Sequence, residues 1–70
     1  MTLRTRIAAN VRAIRAADGM TQETLAQRSG VSLATVSRVE RGQANINVDK
    51  LEALADALGV HASDLAVEPS

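Results

Sequence analysis

Only four residues, Ser29-Gly30-Val31-Ser32, separate two stretches that read as helices, Gln22 to Arg28 and Leu33 to Arg41. A link this short leaves no slack, so the turn itself sets the angle between the two helices. Gly30 can take the positive φ that a sharp turn needs. Ala26, four residues earlier, keeps the crossing free of a bulky side chain. Val36, six residues after the glycine, folds back toward Leu25 and Ala26, with Val39 one turn further on. Thr21 and Ser32 stand in front of the two helices, where a side-chain oxygen can cap the first turn.

The remaining glycines punctuate the chain in the same way. Gly19, Gly30 and Gly59 are each followed by an apolar residue (Met20, Val31, Val60), the pattern that closes a helix, and Gly42 makes a fourth stop. Leu3, Ile7, Val11 and Ile14 fall on one stripe of a 3.6-residue repeat and predict a first helix from Leu3 to Asp18. A fourth helix starts after Asn47, carries Asp49 in its first turn and buries Leu51, Leu54, Ala55 and Leu58. A short fifth spans Ala62 to Ala66, and Glu68-Pro69-Ser70 is a frayed tail. No strand pattern, linker or repeat interrupts this series. The expectation is an all-α chain, one compact five-helix domain over residues 1–70.

A domain this small hides only about 60% of the surface its unfolded chain would expose. The chain has no Phe, Tyr or Trp, so Leu, Val, Ile, Met and Ala must fill its core. Small side chains bury little area each, which predicts a marginally stable monomer that a second copy would reinforce. The absence of Cys excludes disulfides and thiolate metal ligation. No apolar run approaches the roughly 20 residues of a membrane span, and Met1-Thr2-Leu3-Arg4 lacks a signal-peptide core. A cytoplasmic location is expected, with no membrane partner.

The formal net charge is zero, but its distribution is polarised. Residues 1–42 carry arginines 4, 6, 12, 15, 28, 38 and 41 against Asp18, Glu23 and Glu40, a balance of +4. Residues 43–70 set Lys50 against Asp49, Glu52, Asp56, Asp64 and Glu68, a balance of −4. The basic end suits phosphate and the acidic end would avoid it. Within that basic half, Leu33, Ala34, Ser37, Arg38 and Arg41 share an arc of about 140° on the third helix, opposite Val36 and Val39. A face of small residues, hydroxyls and Arg, with neither Glu nor Lys, has the shape and donors to enter a major groove.

Other chemistry finds little support. Asp49, Glu52 and Asp56 have helical spacing, but no nucleophile or phosphate loop accompanies them, so a solvated face is the simpler reading and no catalytic residue is expected. His61 stands alone ahead of Ala62-Ser63-Asp64, where a capping or surface role fits better than a metal site.

The segment TQETLAQRSGVSLATVSRVERG, Thr21 to Gly42, resembles the helix-turn-helix of the phage repressor and Cro (XRE) family, and LEALADALGV, Leu51 to Val60, resembles that family's fourth helix and its exit. The likeness runs over about residues 5–66. It implies a lambda-repressor-like fold with the helix-turn-helix at 22–41 and packing and dimerisation by 47–67. It also implies a transcriptional regulator that binds double-stranded DNA as a homodimer on a palindromic operator, with residues 33–41 as the recognition helix.

By position, the resemblance implies that Gln22 holds a phosphate with Thr21 beside it, and that Ser32 and Thr35 touch the backbone or a base edge. Leu33, Ala34, Ser37 and Arg38 match base-reading positions, Arg41 a phosphate contact, and Asn45 the loop approaching the backbone between half-sites. Leu33 and Ala34 cannot donate hydrogen bonds, unlike the polar readers common there, which leaves Arg38 as the one strong reader. Arg15 and Glu40 match a family ion pair bridging the first and third helices. Leu65, Ala66 and Val67 are candidates for the dimer contact. A restriction–modification controller is one subfamily that fits; RNA polymerase is a further partner such regulators allow, and no cofactor or metal is implied. An antitoxin or other protein-interaction module of the same fold is the alternative, with the acidic second half as partner surface.

Overall fold

The computed structural model describes residues 1–69, which form five helices in the order α1 (Leu3–Ala17), α2 (Gln22–Ser29), α3 (Leu33–Glu40), α4 (Val48–Leu58) and α5 (Ala62–Ala66). The starts of the first four obey one rule: a side-chain oxygen accepts the backbone N–H three residues on. Thr2 serves Thr5, Thr21 serves Thr24 at 3.1 Å, Ser32 serves Thr35 at 3.1 Å and Asn47 serves Lys50 at 2.8 Å. At α5 the Asp64 carboxylate reaches back to the His61 N–H at 3.0 Å, so His61 stands at a helix start as expected. The α2–α3 turn closes on Gly30, which has φ 75° and donates its N–H to Ala26 O at 3.0 Å.

The core is aliphatic throughout. Leu25, Leu54, Leu65, Val11 and Val36 are its fully buried large side chains, joined by Ile7, Met20, Val31, Val39, Ala55 and Leu58. α1 packs on α3 and α5, while α2 packs on α3 and α4, and α4 on α5. Val36 of α3 and Leu25 of α2 are both fully buried in the shared core, on the sides that the turn spacing predicts.

Several expectations need correction. α1 ends at Ala17, α2 runs one residue further to Ser29, and α3 stops at Glu40 with Arg41 as its cap. Leu3 begins the apolar stripe of α1 but is 50% exposed, lining an open cleft beside the loop that follows α3 rather than the core. Ile14 and Leu51 are half-buried at the core's margin. Leu65, expected at a dimer contact, is fully buried inside the monomer, where α5 meets α1 and α4. Of that trio only Ala66, half-buried, and Val67, exposed, have surface to offer.

Asn10 is a polar residue inside the apolar packing of α1 and is 8% exposed. Its Nδ2 donates to Leu65 O at 2.9 Å and Val67 O at 2.7 Å, satisfying two carbonyls at the end of α5. The sequence marks the position, since Asn10 lies three residues after Ile7 and next to Val11 on the buried stripe, but it names no partner.

Candidate nucleic-acid interface

α3 turns Val36 and Val39 inward and leaves Ala34 and Arg38 exposed on the opposite side, which follows from 100° per residue. Glu40 lies on the side of exposed Leu33 and is buried because Arg12 and Arg15 of α1 meet it at the end of α3. Leu33 is 42% exposed, a large apolar side chain on an otherwise small and polar face. Arg38 is exposed and, among the described residues, its guanidinium makes no hydrogen bond or ion pair, so all five donors are available. Ser37 is half-buried and its Oγ accepts a hydrogen bond from Arg41 Nη1. Arg41 Nε also donates to Gln43 Oε1 at 3.3 Å, which lays this guanidinium along the exit of α3.

The flanking positions are tied more closely. The Ser32 hydroxyl donates to Thr35 Oγ1 at 2.8 Å, and Thr35 is half-buried beneath it. Thr21 and Thr24 share a hydroxyl contact of 3.0 Å at the start of α2. Gln22, also half-buried, donates from Nε2 to Glu40 Oε1 at 3.0 Å. Asn45 is exposed on the α3–α4 loop, and its Oδ1 accepts a hydrogen bond from Arg4. Thus Thr21 and Gln22 stand at the start of α2, with Gln22 tied to the end of α3, and Ser32 and Thr35 at the start of α3. Asn45 sits apart from them, on the loop reached by the first turn of α1.

Glu40 is the centre of the assembly although only 4% of it is exposed. Arg15 meets its two oxygens from Nε at 2.6 Å and Nη2 at 3.0 Å, and Arg15 Nη1 donates to Met20 O at 2.8 Å. A bidentate fork of this kind is the stronger form of ion pair. The hydrogen bond with Glu40 raises the Arg15 guanidinium above its ordinary pKa; burial opposes this, and the charges of Glu40 and then Glu23 add to it. Arg12 donates to the backbone carbonyl of Glu40, so α1 holds the end of α3 at two points.

The sequence marks Arg4 and Arg12 only as members of the basic half. Their partners lie 41 and 28 residues away, and nothing local announces such contacts. Arg4 brings a cation to a loop, residues 43–47, that has none of its own. Beside it lies an open cleft of about 500 Å³ lined by Leu3, Ile7, Ala44 and Ile46 among others. No group of three or more His, Cys, Asp or Glu that could hold a metal ion occurs among the described residues. No helix of these residues is long and apolar enough to cross a membrane.

With this geometry in place, the likeness to known proteins is informative. The model of the helix-turn-helix family HTH_3 matches residues 11–65. A hypothetical transcription factor of Neisseria meningitidis serogroup B is 42% identical over 67 residues, covering 96% of this chain and 63% of that protein. The chain therefore spans less than two thirds of that relative's length. The HTH-type transcriptional regulator y4dJ of Sinorhizobium fredii is 42% identical over 60 residues, 86% of this chain and 78% of that one. Among solved structures, the hypothetical transcription factor NHTF from Neisseria gives a TM-score of 0.93 at 41% identity, covering 97% of this chain and 78% of that chain. The restriction-modification controller protein C.AhdI from Aeromonas hydrophila gives 0.85 at 37% identity, covering 89% and 94%.

Proposed function

This chain belongs to the HTH_3 helix-turn-helix family, and on that premise we propose that it regulates transcription by binding double-stranded DNA sequence-specifically, as a homodimer on a palindromic operator. The observation that carries this reading is the outward face of α3, where an unpaired Arg38 stands among Leu33, Ala34 and Ser37. α3 enters the major groove with that face. Arg38 reads guanine O6 and N7, while Leu33 and Ala34 lie against thymine methyl groups. Few base donors remain, so DNA shape contributes to selectivity.

Thr21, Gln22, Ser32, Thr35, Arg41 and Asn45 fix the register on the backbone. Two subunits place α3 in successive major grooves about 34 Å apart, and a two-fold axis matches the operator's symmetry. Ala66 and Val67 serve the dimer contact, and Leu65 does so only indirectly, by packing α5 in place. The narrower reading is a controller of restriction–modification genes. The likeness to C.AhdI supports it, since the match covers 94% of that chain. The cytoplasm, where such DNA lies, is the expected compartment.

A mobility-shift titration with DNA from upstream of the chain's own gene tests the function. A shift by homodimer that survives excess random DNA is expected. A protein that binds both DNAs alike, or that purifies bound to a second protein and shifts neither, contradicts it.

A further inference from the structure

Glu40 has a second donor, and it is a residue of the interface. Besides the Arg15 fork, Glu40 Oε1 accepts the hydrogen bond from Gln22 Nε2 at 3.0 Å. A carboxylate can only accept, so this contact decides which way round the Gln22 amide sits, with its nitrogen toward Glu40 and its oxygen away. The amide nitrogen carries two hydrogens; one is committed to Glu40 and one remains. Gln22 is the first residue of α2, at the positive end of that helix's dipole. The carboxylate is itself held: Arg15 grips both oxygens and is anchored in turn to Met20 O.

We propose that Glu40 is a positioning residue for DNA binding, which locks the Gln22 amide so that its free N–H faces a backbone phosphate. The inference rests on the reading of Gln22 as a phosphate contact given above. An unrestrained amide would sample both flips, and one of them turns an acceptor oxygen toward the phosphate. Burial of Glu40 matters here, because a carboxylate at the surface would itself repel the DNA. At 4% exposure it lies behind the amide that it orients.

The test compares four proteins: wild type, Gln22→Met, the double variant R15M/E40L, and the two combined. Each is titrated over a range of salt with a duplex that the wild-type protein has selected from a random-sequence pool. Gln22→Met is expected to weaken binding roughly tenfold in the wild-type background, as loss of a hydrogen bond to a charged group. The slope against log salt should not change, because a neutral amide releases no counterion. In the R15M/E40L background the same substitution should cost about half as much, roughly fivefold, because an amide free to sample both flips presents its N–H only part of the time. An equal loss in both backgrounds overturns the positioning role, and so does a larger loss in the double variant, since Glu40 would then be withholding the amide. No loss in the wild-type background contradicts the phosphate contact itself.

If R15M/E40L does not fold, NMR of the wild-type protein decides. The two side-chain amide protons of Gln22, assigned by their disappearance in Gln22→Met, are followed as duplex is added. One proton is expected to shift while the other holds. Movement of both breaks the link to Glu40 and overturns the proposal; movement of neither removes the phosphate contact on which it rests.

Discussion

Arg15 and Glu40, 25 residues apart in the chain, meet fork to fork, with Nε 2.6 Å from Oε2 and Nη2 3.0 Å from Oε1. The two partners differ in burial: the Arg15 side chain is 21% exposed and that of Glu40 4%. This asymmetry makes the pair's two single deletions unequal.

Removing Arg15 strands a buried carboxylate, while removing Glu40 leaves a guanidinium that can still reach water. Arg15→Met should therefore cost about 3 kcal/mol or more, and Glu40→Leu distinctly less. The double variant R15M/E40L should lie near wild type, because well-packed apolar replacements of a buried pair are often neutral. Urea denaturation with a common slope measures all three. Equal losses for the two single variants would contradict the burial argument. The pair also has a definite pH signature. A cation whose pKa is raised on folding contributes stability in full below its unfolded value and loses it only above, so Arg15 should add no pH dependence across the neutral range.

Gly30 is required for its backbone rather than for space. It sits at φ +75°, and a Cβ built there meets nothing within 4 Å. Gly30→Ala should then cost only the left-handed conformation, about 1–2 kcal/mol, read as a lower midpoint in thermal or urea unfolding. A loss several times larger would mean that the turn is closely packed after all.

Leu65 and Val67 should separate folding from association. Leu65→Ala opens the core and is expected to cost about 2–5 kcal/mol of monomer stability. Val67 is 56% exposed, so Val67→Lys should leave the monomer's unfolding nearly unchanged and shift sedimentation toward monomer. A Val67→Lys protein that remains fully dimeric would place the dimer contact elsewhere.

Arg38 and Arg41 lie one turn apart near the end of α3, yet they should fail differently. Arg38→Ala should relax discrimination at one base position by about 1–3 kcal/mol. Arg41→Ala should weaken binding alike on all sequences and reduce the salt slope by about one. Competition assays with single-base variants of the bound site distinguish the two. Uniform weakening by Arg38→Ala would remove it as a reader.

The helices were legible because local rules governed them. Thr21, Ser32 and Asn47 cap where their side chains allow, and Gly30 turns where only glycine is unstrained. The exposed arc of α3 was legible for the same reason, since its periodicity faces away from Val36 and Val39. What escaped were contacts between distant segments. Leu65 is expected at the dimer contact, but the packing of α5 on α1 and α4 buries it within the monomer. Arg15 with Glu40 came from a resemblance, whereas Gln22 joining Glu40, Arg4 joining Asn45 and Asn10 joining the end of α5 needed the assembled fold. These are long-range pairings of ordinary polar residues; spacing places Asn10 on the buried stripe of α1 but identifies no partner for any of them.

The central claim is that α3 reads DNA in a two-fold symmetric arrangement. Selection of bound duplexes from a random-sequence pool tests it most directly. The expected outcome is an inverted repeat with half-sites one helical turn apart, about 34 Å, and a guanine in each half-site whose enrichment disappears with Arg38→Ala. A pool that stays random, or one that converges on a single unsymmetrical site indifferent to Arg38, would contradict the account.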